Sequence, residues 1–324
     1  MTERAVLQAP GGPGYALTLR TATYVWWKPV AGVLLLVASA LVVAPFLLSV
    51  TVVPVAVALD HNGSFADAYR DALSVDTVTW QSMLYLNLSL AALIAVACFL
   101  VRYLHDVSPR FLASVRPGIR WAWFRVCMGL ALIAIAAQVV VSTLLPGDLD
   151  GLGGPANHWT AGAVATAVVV LLTTPLQAIG EEYGFRGYLL QAFGALAARP
   201  WVGVVVSALL FAAAHGAQNL PLFLDRLTFG LIAGVVVVRT GGLEAGIALH
   251  IWNNLVAFGL ALSLGDIDET LGVSSVSWWN IVLTLTQNGV YLVLVLFAAR
   301  RMGVSRTTTD VPGPAVLVPG TPSV

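Results

Sequence analysis

An all-α, polytopic transmembrane helix bundle is the fold class this sequence predicts, with about eight spanning helices and both termini in the cytoplasm. Three observations predict it. Hydrophobic residues make up 58% of the 324-residue chain and charged residues only 10%, whereas a soluble domain carries about 25% charged residues. Apolar runs of roughly 20 residues, the length that crosses a bilayer core, recur along the chain, and mean hydropathy is +0.87. Arg and Lys collect in alternate loops, as the positive-inside rule expects of a multi-pass protein. Strand-like alternation is absent over the runs, which argues against an outer-membrane barrel.

The elements follow in order. Residues 1–28 form a cytoplasmic N-terminal segment carrying Arg4, Arg20 and Lys28. It lacks the short charged-then-apolar plan of a cleaved signal peptide, so the first apolar run is expected to stay as an anchor. That first span lies within Pro29–Leu59; it is longer than a bilayer needs, and Pro45 and Pro54 predict a kink or tilt. The second span is Gln81–Val101 and the third Ala122–Leu145, with Arg125 placed to snorkel. These three make an N-terminal part, 29–145. Five more make a second part, 160–299: Thr160–Gly180, with helix continuing toward Leu190; Trp201–His215, extending toward Leu220; Pro221–Val238; Leu243–Leu264; and Trp279–Ala299. The tail 307–324 is rich in Pro, Gly and Thr and is expected to be disordered.

Charge narrows the function classes. Formal net charge is zero, and no zinc-finger or phosphate-loop pattern occurs, so nucleic acid is not an expected partner. Lys28 is the sole lysine; that bias toward Arg, with abundant Ala, Val and Gly, fits a GC-rich bacterial genome. Localisation in a bacterial plasma membrane follows. Cys98 and Cys127 fall inside apolar runs and read as small packing residues. His61, His105 and His158 fall in loops and read as solvated, and Asn62-Gly-Ser64 matches the short glycosylation pattern, which has meaning only in a secretory pathway.

Ionisable groups are expensive inside lipid, and here they cluster in the second part. Glu181, Glu182 and Arg186 lie in "EEYGFR", His215 ends "FAAAH", and His250 and Asn254 lie in "HIWNN". Glu182 and Arg186, Phe211 and His215, and His250 and Asn254 are each four apart, so each pair shares a helix face. Taken singly, each has a plain structural reading: an ion-pair clamp, a hydrogen-bonded packing histidine, an asparagine bonding a neighbouring helix. Taken together they are the parts of an acid–base site. A carboxylate in low dielectric binds protons more tightly and can take one from water. An imidazole can hold that water or a metal, and an imidazole with an amide N–H can stabilise an oxyanion. No Gly-x-Ser-x-Gly elbow and no HExxH signature occurs. Glu181, His215 and His250 remain a candidate three-ligand set for zinc. Gly230 and Gly234, and Gly242 and Gly246, have the GxxxG spacing that lets helices approach closely. Asp225 and Arg226 are placed to pair with other helices or to frame a cavity.

The three motifs, in this order, resemble those of the CAAX-protease and bacteriocin-processing family of intramembrane proteases, which includes the type II CAAX prenyl endopeptidases. The resemblance runs from about Gln177 to Leu255. It implies that Glu181 is the general base, acting on a water that His215 also holds. It implies that His250 and Asn254 stabilise the oxyanion, and that Glu182 and Arg186 orient the site. The family is read both as metalloprotease and as metal-independent glutamate protease, so zinc stays open. The implied substrate is a membrane-associated peptide or protein; prenylated CAAX ends are the eukaryotic family substrate. The competing reading is a non-catalytic membrane scaffold or self-immunity protein that uses the same cluster for packing or partner binding, with a proton-relaying transporter as a third. A geometric condition separates them. At about 1.5 Å rise per residue, Glu181 can meet the histidines only if its helix runs on toward Leu190 or the fifth segment begins in the cytosol, and both are expected.

Overall fold

A computed structural model describes residues 4–5, 12–61, 63–74, 78–145, 157–264, 267–309 and 318–319. Seven helices among them are long and apolar enough to cross a membrane: α1 (Trp27–Leu59), α3 (Trp80–Leu104), α4 (Trp121–Ser142), α5 (Ala161–Ala197), α7 (Leu220–Thr240), α8 (Glu244–Leu264) and α9 (Trp279–Arg301). Between them lie the amphipathic α2 (Phe65–Leu73) and the short apolar α6 (Pro200–Ala213). The chain is a polytopic helical membrane protein. The glycosylation pattern at Asn62 and most of the tail 307–324 lie outside the described residues.

Both ends of the chain meet at one end of the bundle. Arg4–Ala5 pairs antiparallel with Val318–Pro319, Gly14 bridges Thr307, and the Thr308 N–H donates to the Pro13 carbonyl at 3.2 Å. α6 and the residues after it lie between α5 and α7 in the chain, where the sequence reading puts the fifth of eight spans. Here the expected fifth span, Trp201–His215, is corrected: α6 has 14 residues, roughly 21 Å of helix, too short for a 30 Å core.

The reason lies in α5. Its 37 residues would measure roughly 55 Å as continuous α-helix, longer than a 30 Å bilayer core needs, and the chain turns back at its end. Ala198 takes the left-handed conformation there (φ 55°) and Pro200 opens α6. α6 packs against α7 through the predicted small-residue stripe. A Cβ on Gly230 would lie 3.0 Å from Ala208, and one on Gly234 3.0 Å from Val204. This register levels the end of α6 with about Asp225, roughly 20 Å from the Thr240 end of α7. Residues 214–219 then link α6 to α7 without regular helix.

α3 lies along α5, where Gly180 meets the Leu90 carbonyl so closely that no side chain fits. α8 packs on both α4 and α5, and α9 joins α4 to α7. α1 is the outlier: only 6% of its most apolar window is buried inside the protein. A five-residue π-helical turn, Ser39–Val43, interrupts it just before Pro45. The N-terminal segment is not a free tail. Tyr15 and Leu19 are fully buried under the bundle, the Tyr15 hydroxyl donates to the Leu112 carbonyl, and Arg20 Nε donates to Ala195 O at 2.7 Å. Beside this patch Arg120 grips Glu244 through Nε and Nη2 at 2.8 and 2.7 Å, while its Nη1 donates to the Thr240 and Ser305 carbonyls. One arginine thus ties the starts of α4 and α8 to the ends of α7 and α9.

One histidine departs from the sequence reading. His61 and His158 are exposed, but His105 is 3% exposed. It caps the π-helical last turn of α3, Leu100–Leu104, and its Nε2 hydrogen-bonds the Tyr188 hydroxyl at 2.8 Å. A residue that follows an apolar helix directly is still under the bundle, where a polar ring needs a partner.

Candidate active site

The helix runs through the paired glutamates. α-Helical geometry holds from Ala161 to Glu181, an eight-residue π-helical stretch follows from Glu182 to Leu189, and α-helix resumes to Ala197. π turns inside α-helices are frequent at functional sites. This one carries Glu182 and Arg186, both fully buried, directly after Glu181, which is 7% exposed.

Four of the six predicted residues meet directly. Arg186 Nη1 lies 2.8 Å from Glu182 Oε1. His250, on α8, reaches across to the same oxygen with Nδ1 at 2.9 Å and to Glu181 Oε2 with Nε2 at 3.2 Å. A neutral imidazole has one N–H, so one further proton, on the ring or on a carboxylate, completes both bonds. Gly246 lets the glutamates come this close, since a Cβ there would lie 2.6 Å from Glu182 Oε2. The guanidinium of Arg186 lies over the ring of Phe211, 4.1 Å from its centroid, with Phe229 at 5.4 Å. The same two rings meet the His250 imidazole edge-on at 5.9 and 5.1 Å. Aromatic walls thus exclude water from the charged cluster while partly offsetting the guanidinium's desolvation.

His215 and Asn254 stand beside this core. His215 stacks edge-on against Phe211 at 4.7 Å, and its Nδ1 lies 2.8 Å from the Phe211 carbonyl. A carbonyl only accepts, so Nδ1 carries the hydrogen and Nε2 is left with its lone pair. His215 is exposed, and it sits in the non-helical stretch 214–219, level with about Asp225 of the apolar helix α7. Irregular backbone at that level is tolerated where it lines a water-filled cavity. Asn254 Nδ2 donates to Gln177 Oε1 at 2.9 Å. An amide nitrogen carries two hydrogens, so one donor remains.

Sequence reasoning passed over Gln177, which lies four residues before Glu181 and so on the same face. It also passed over the chain beyond it: Asn253 Nδ2 contacts Asn254 Oδ1 at 3.4 Å, and Gln287 of α9 donates to Asn253 Oδ1 at 3.2 Å. Asp225 accepts from the Thr284 hydroxyl, so it ties α7 to α9, and Arg226 turns the other way, toward His215.

The zinc expectation has a geometric test. Both ring nitrogens of His250 face carboxylates, and among the described residues no group of three His, Cys, Asp or Glu side chains is arranged to hold a metal ion. Glu181, His215 and His250 as placed do not make a zinc set. A cavity of about 670 Å³ lies at the far end of the bundle, lined by Asp60, His61, Trp80 and His158 among others. It holds none of the six predicted residues and is a separate feature.

Residues 163–256, which span this whole constellation, match the family model described as type II CAAX prenyl endopeptidase Rce1-like. That match covers under a third of the chain. The family is one of membrane proteases. The bacterial relatives are uncharacterized. Protein YyaK of Bacillus subtilis (strain 168) is 27% identical over 154 residues, 45% of this chain and 50% of that protein. A 24.3 kDa protein of Escherichia coli is 35% identical over 89 residues, 27% of this chain and 40% of that protein. The chain therefore spans half or less of the length of these relatives. No solved structure matches it. The matched stretch begins inside α5 and ends inside α8, so α1 to α4 and α9 lie outside it.

Proposed function

We propose that this protein is an intramembrane endopeptidase that hydrolyses a peptide bond of a membrane-associated peptide or protein, entered from the side of the termini, which the basic loops mark as cytoplasmic. The observation that carries the reading is the 3.2 Å contact between Glu181 Oε2 on α5 and His250 Nε2 on α8. It fixes a carboxylate, and His215 supplies an exposed imidazole whose Nε2 keeps its lone pair.

The chemistry follows from the donors and acceptors in place. A water between Glu181 and His215 gives one hydrogen to each, and its oxygen lone pair is then aimed at a substrate carbonyl. Glu181 takes the proton as the C–O bond forms and returns it to the departing amine as the C–N bond breaks. Asn254 offers its second N–H to the oxyanion. His250 is spent on both carboxylates, so it holds Glu181 in place with Glu182 and Arg186 behind it. No zinc step is needed.

The test is cleavage of quenched-fluorescent peptides by purified protein in proteoliposomes, with a farnesylated CAAX peptide and an unmodified apolar peptide as probes. Glu181→Gln and His215→Ala are expected to lose about 10²–10⁴ in rate, the worth of general acid–base catalysis. Equal rates, or equal cellular phenotype in all three proteins, would favour the scaffold reading.

A further inference from the structure

Arg226 is a cation that the mechanism above does not use. It lies about 14 residues before the Thr240 end of α7, roughly 20 Å along a helix apolar enough to span a membrane, and charged side chains are rare on such helices and mark function. The residue is half-buried, and its guanidinium forms no ion pair among the described residues. The neighbouring Asp225 balances its charge but turns its carboxylate to Thr284 on α9. The one protein contact of the Arg226 guanidinium is long: Nη1 lies 3.5 Å from the His215 carbonyl. Arg226 on α7 and His215 at the α6 end therefore stand side by side.

A guanidinium presents a planar fork of donors that fits a carboxylate. At the edge of a hydrolytic site, left without a protein carboxylate, it is a receptor for one on the ligand. We propose that Arg226 is a specificity-determining residue that binds a carboxylate of the peptide substrate, close to the scissile bond. This rests on the endopeptidase reading. The carboxylate comes either from the chain terminus of the substrate or from an acidic side chain near the cut.

Binding separates this inference from catalysis. Three fluorescein-labelled farnesylated decapeptides serve as probes for Glu181→Gln protein in detergent: one with a free C-terminal carboxylate, one with a C-terminal amide, and one amidated peptide with an aspartate near the cysteine. At least one carboxylate peptide is expected to bind about tenfold or more tighter than the plain amide. Arg226→Gln is expected to abolish that preference without weakening the plain amide, and Arg226→Lys to keep part of it. The preference of the Arg226-containing protein reads out even if the Gln variant fails to fold. Equal binding of all three peptides, no binding of any, or a preference that survives Arg226→Gln overturns the inference. Cleavage by the unmodified protein, tested separately, decides the endopeptidase reading.

Discussion

Gly246 faces the buried carboxylate of Glu182 with no room to spare: a Cβ at 246 would lie 2.6 Å from Oε2. Glu182 is fully buried on α5 and Gly246 on α8, so neither side has slack to give. Gly246→Ala is expected to push Glu182 off its contacts to Arg186 and His250. Overpacking of this kind costs about 1–3 kcal/mol, and cleavage should fall with it. Thermal unfolding in detergent and the peptide assay measure the two effects. An alanine variant as stable and as active as the parent would show that the helices are not locked here.

Removing Arg186 tests the buried pair behind the base. Arg186→Ala leaves Glu182 without its 2.8 Å partner in a dry pocket. The loss of one member of a buried pair costs about 3–5 kcal/mol. Arg186→Lys keeps the charge but not the planar stacking on Phe211, so an intermediate loss is expected. Should both variants unfold at the parental temperature, the cluster contributes no stability.

Asn254→Ala removes the proposed oxyanion donor while leaving the glutamates alone. The loss should fall on kcat, by about 10²–10³ as for other single donors, with KM little changed. A change confined to KM would reassign Asn254 to substrate binding.

Metal removal is expected to have no effect. Dialysis against a chelator should leave peptide cleavage intact, because the mechanism assigns the water to Glu181 and His215. Loss of activity that zinc alone restores would falsify the metal-free scheme and return His250 to the role of ligand.

Acid should weaken the fold through His105. Burial is the main reason its pKa is lowered from 6.5 to about 4, with Lys28 adding to the effect and Asp106 opposing it. His105 is therefore neutral in the folded protein and hydrogen-bonds Tyr188. The unfolded chain takes up a proton below its own pKa of 6.5, so stability is full above that value and falls as the pH drops toward 4. The fall is at most about 3 kcal/mol. Unfolding temperature measured between pH 7 and 4 should show it, and His105→Asn should flatten that part of the curve. An identical slope in the variant would place the acid sensitivity elsewhere.

The apolar runs made the bundle legible because lipid tolerates few alternatives to helix. The order of "EEYGFR", "FAAAH" and "HIWNN" made most of the site legible, because polar side chains four apart on membrane helices need partners. The pairing of Glu182 with Arg186 was local and could be read directly. That His250 holds both glutamates could not, since it depends on how far α5 and α8 slide along each other, which Gly246 and Gly180 set. The shortness of α6 was hidden by composition: Trp201–His215 is as apolar as a spanning segment, and nothing in it marks a helix of 14 residues, although the depth of the histidines already pointed to a cytosolic start. His105 was misplaced because sequence alone does not show that the N-terminal segment folds under the bundle.

The π-helical stretch from Glu182 to Leu189 fixes the phase of everything after it. At one end Glu182 faces His250; at the other Tyr188 faces His105. Each residue advances an α-helix by about 100°, so deleting one residue between these anchors would leave one of them pointing at lipid. The site and the floor at the end of the bundle that holds the termini are thus coupled by counting: helix α5 can change its side chains here more readily than its length.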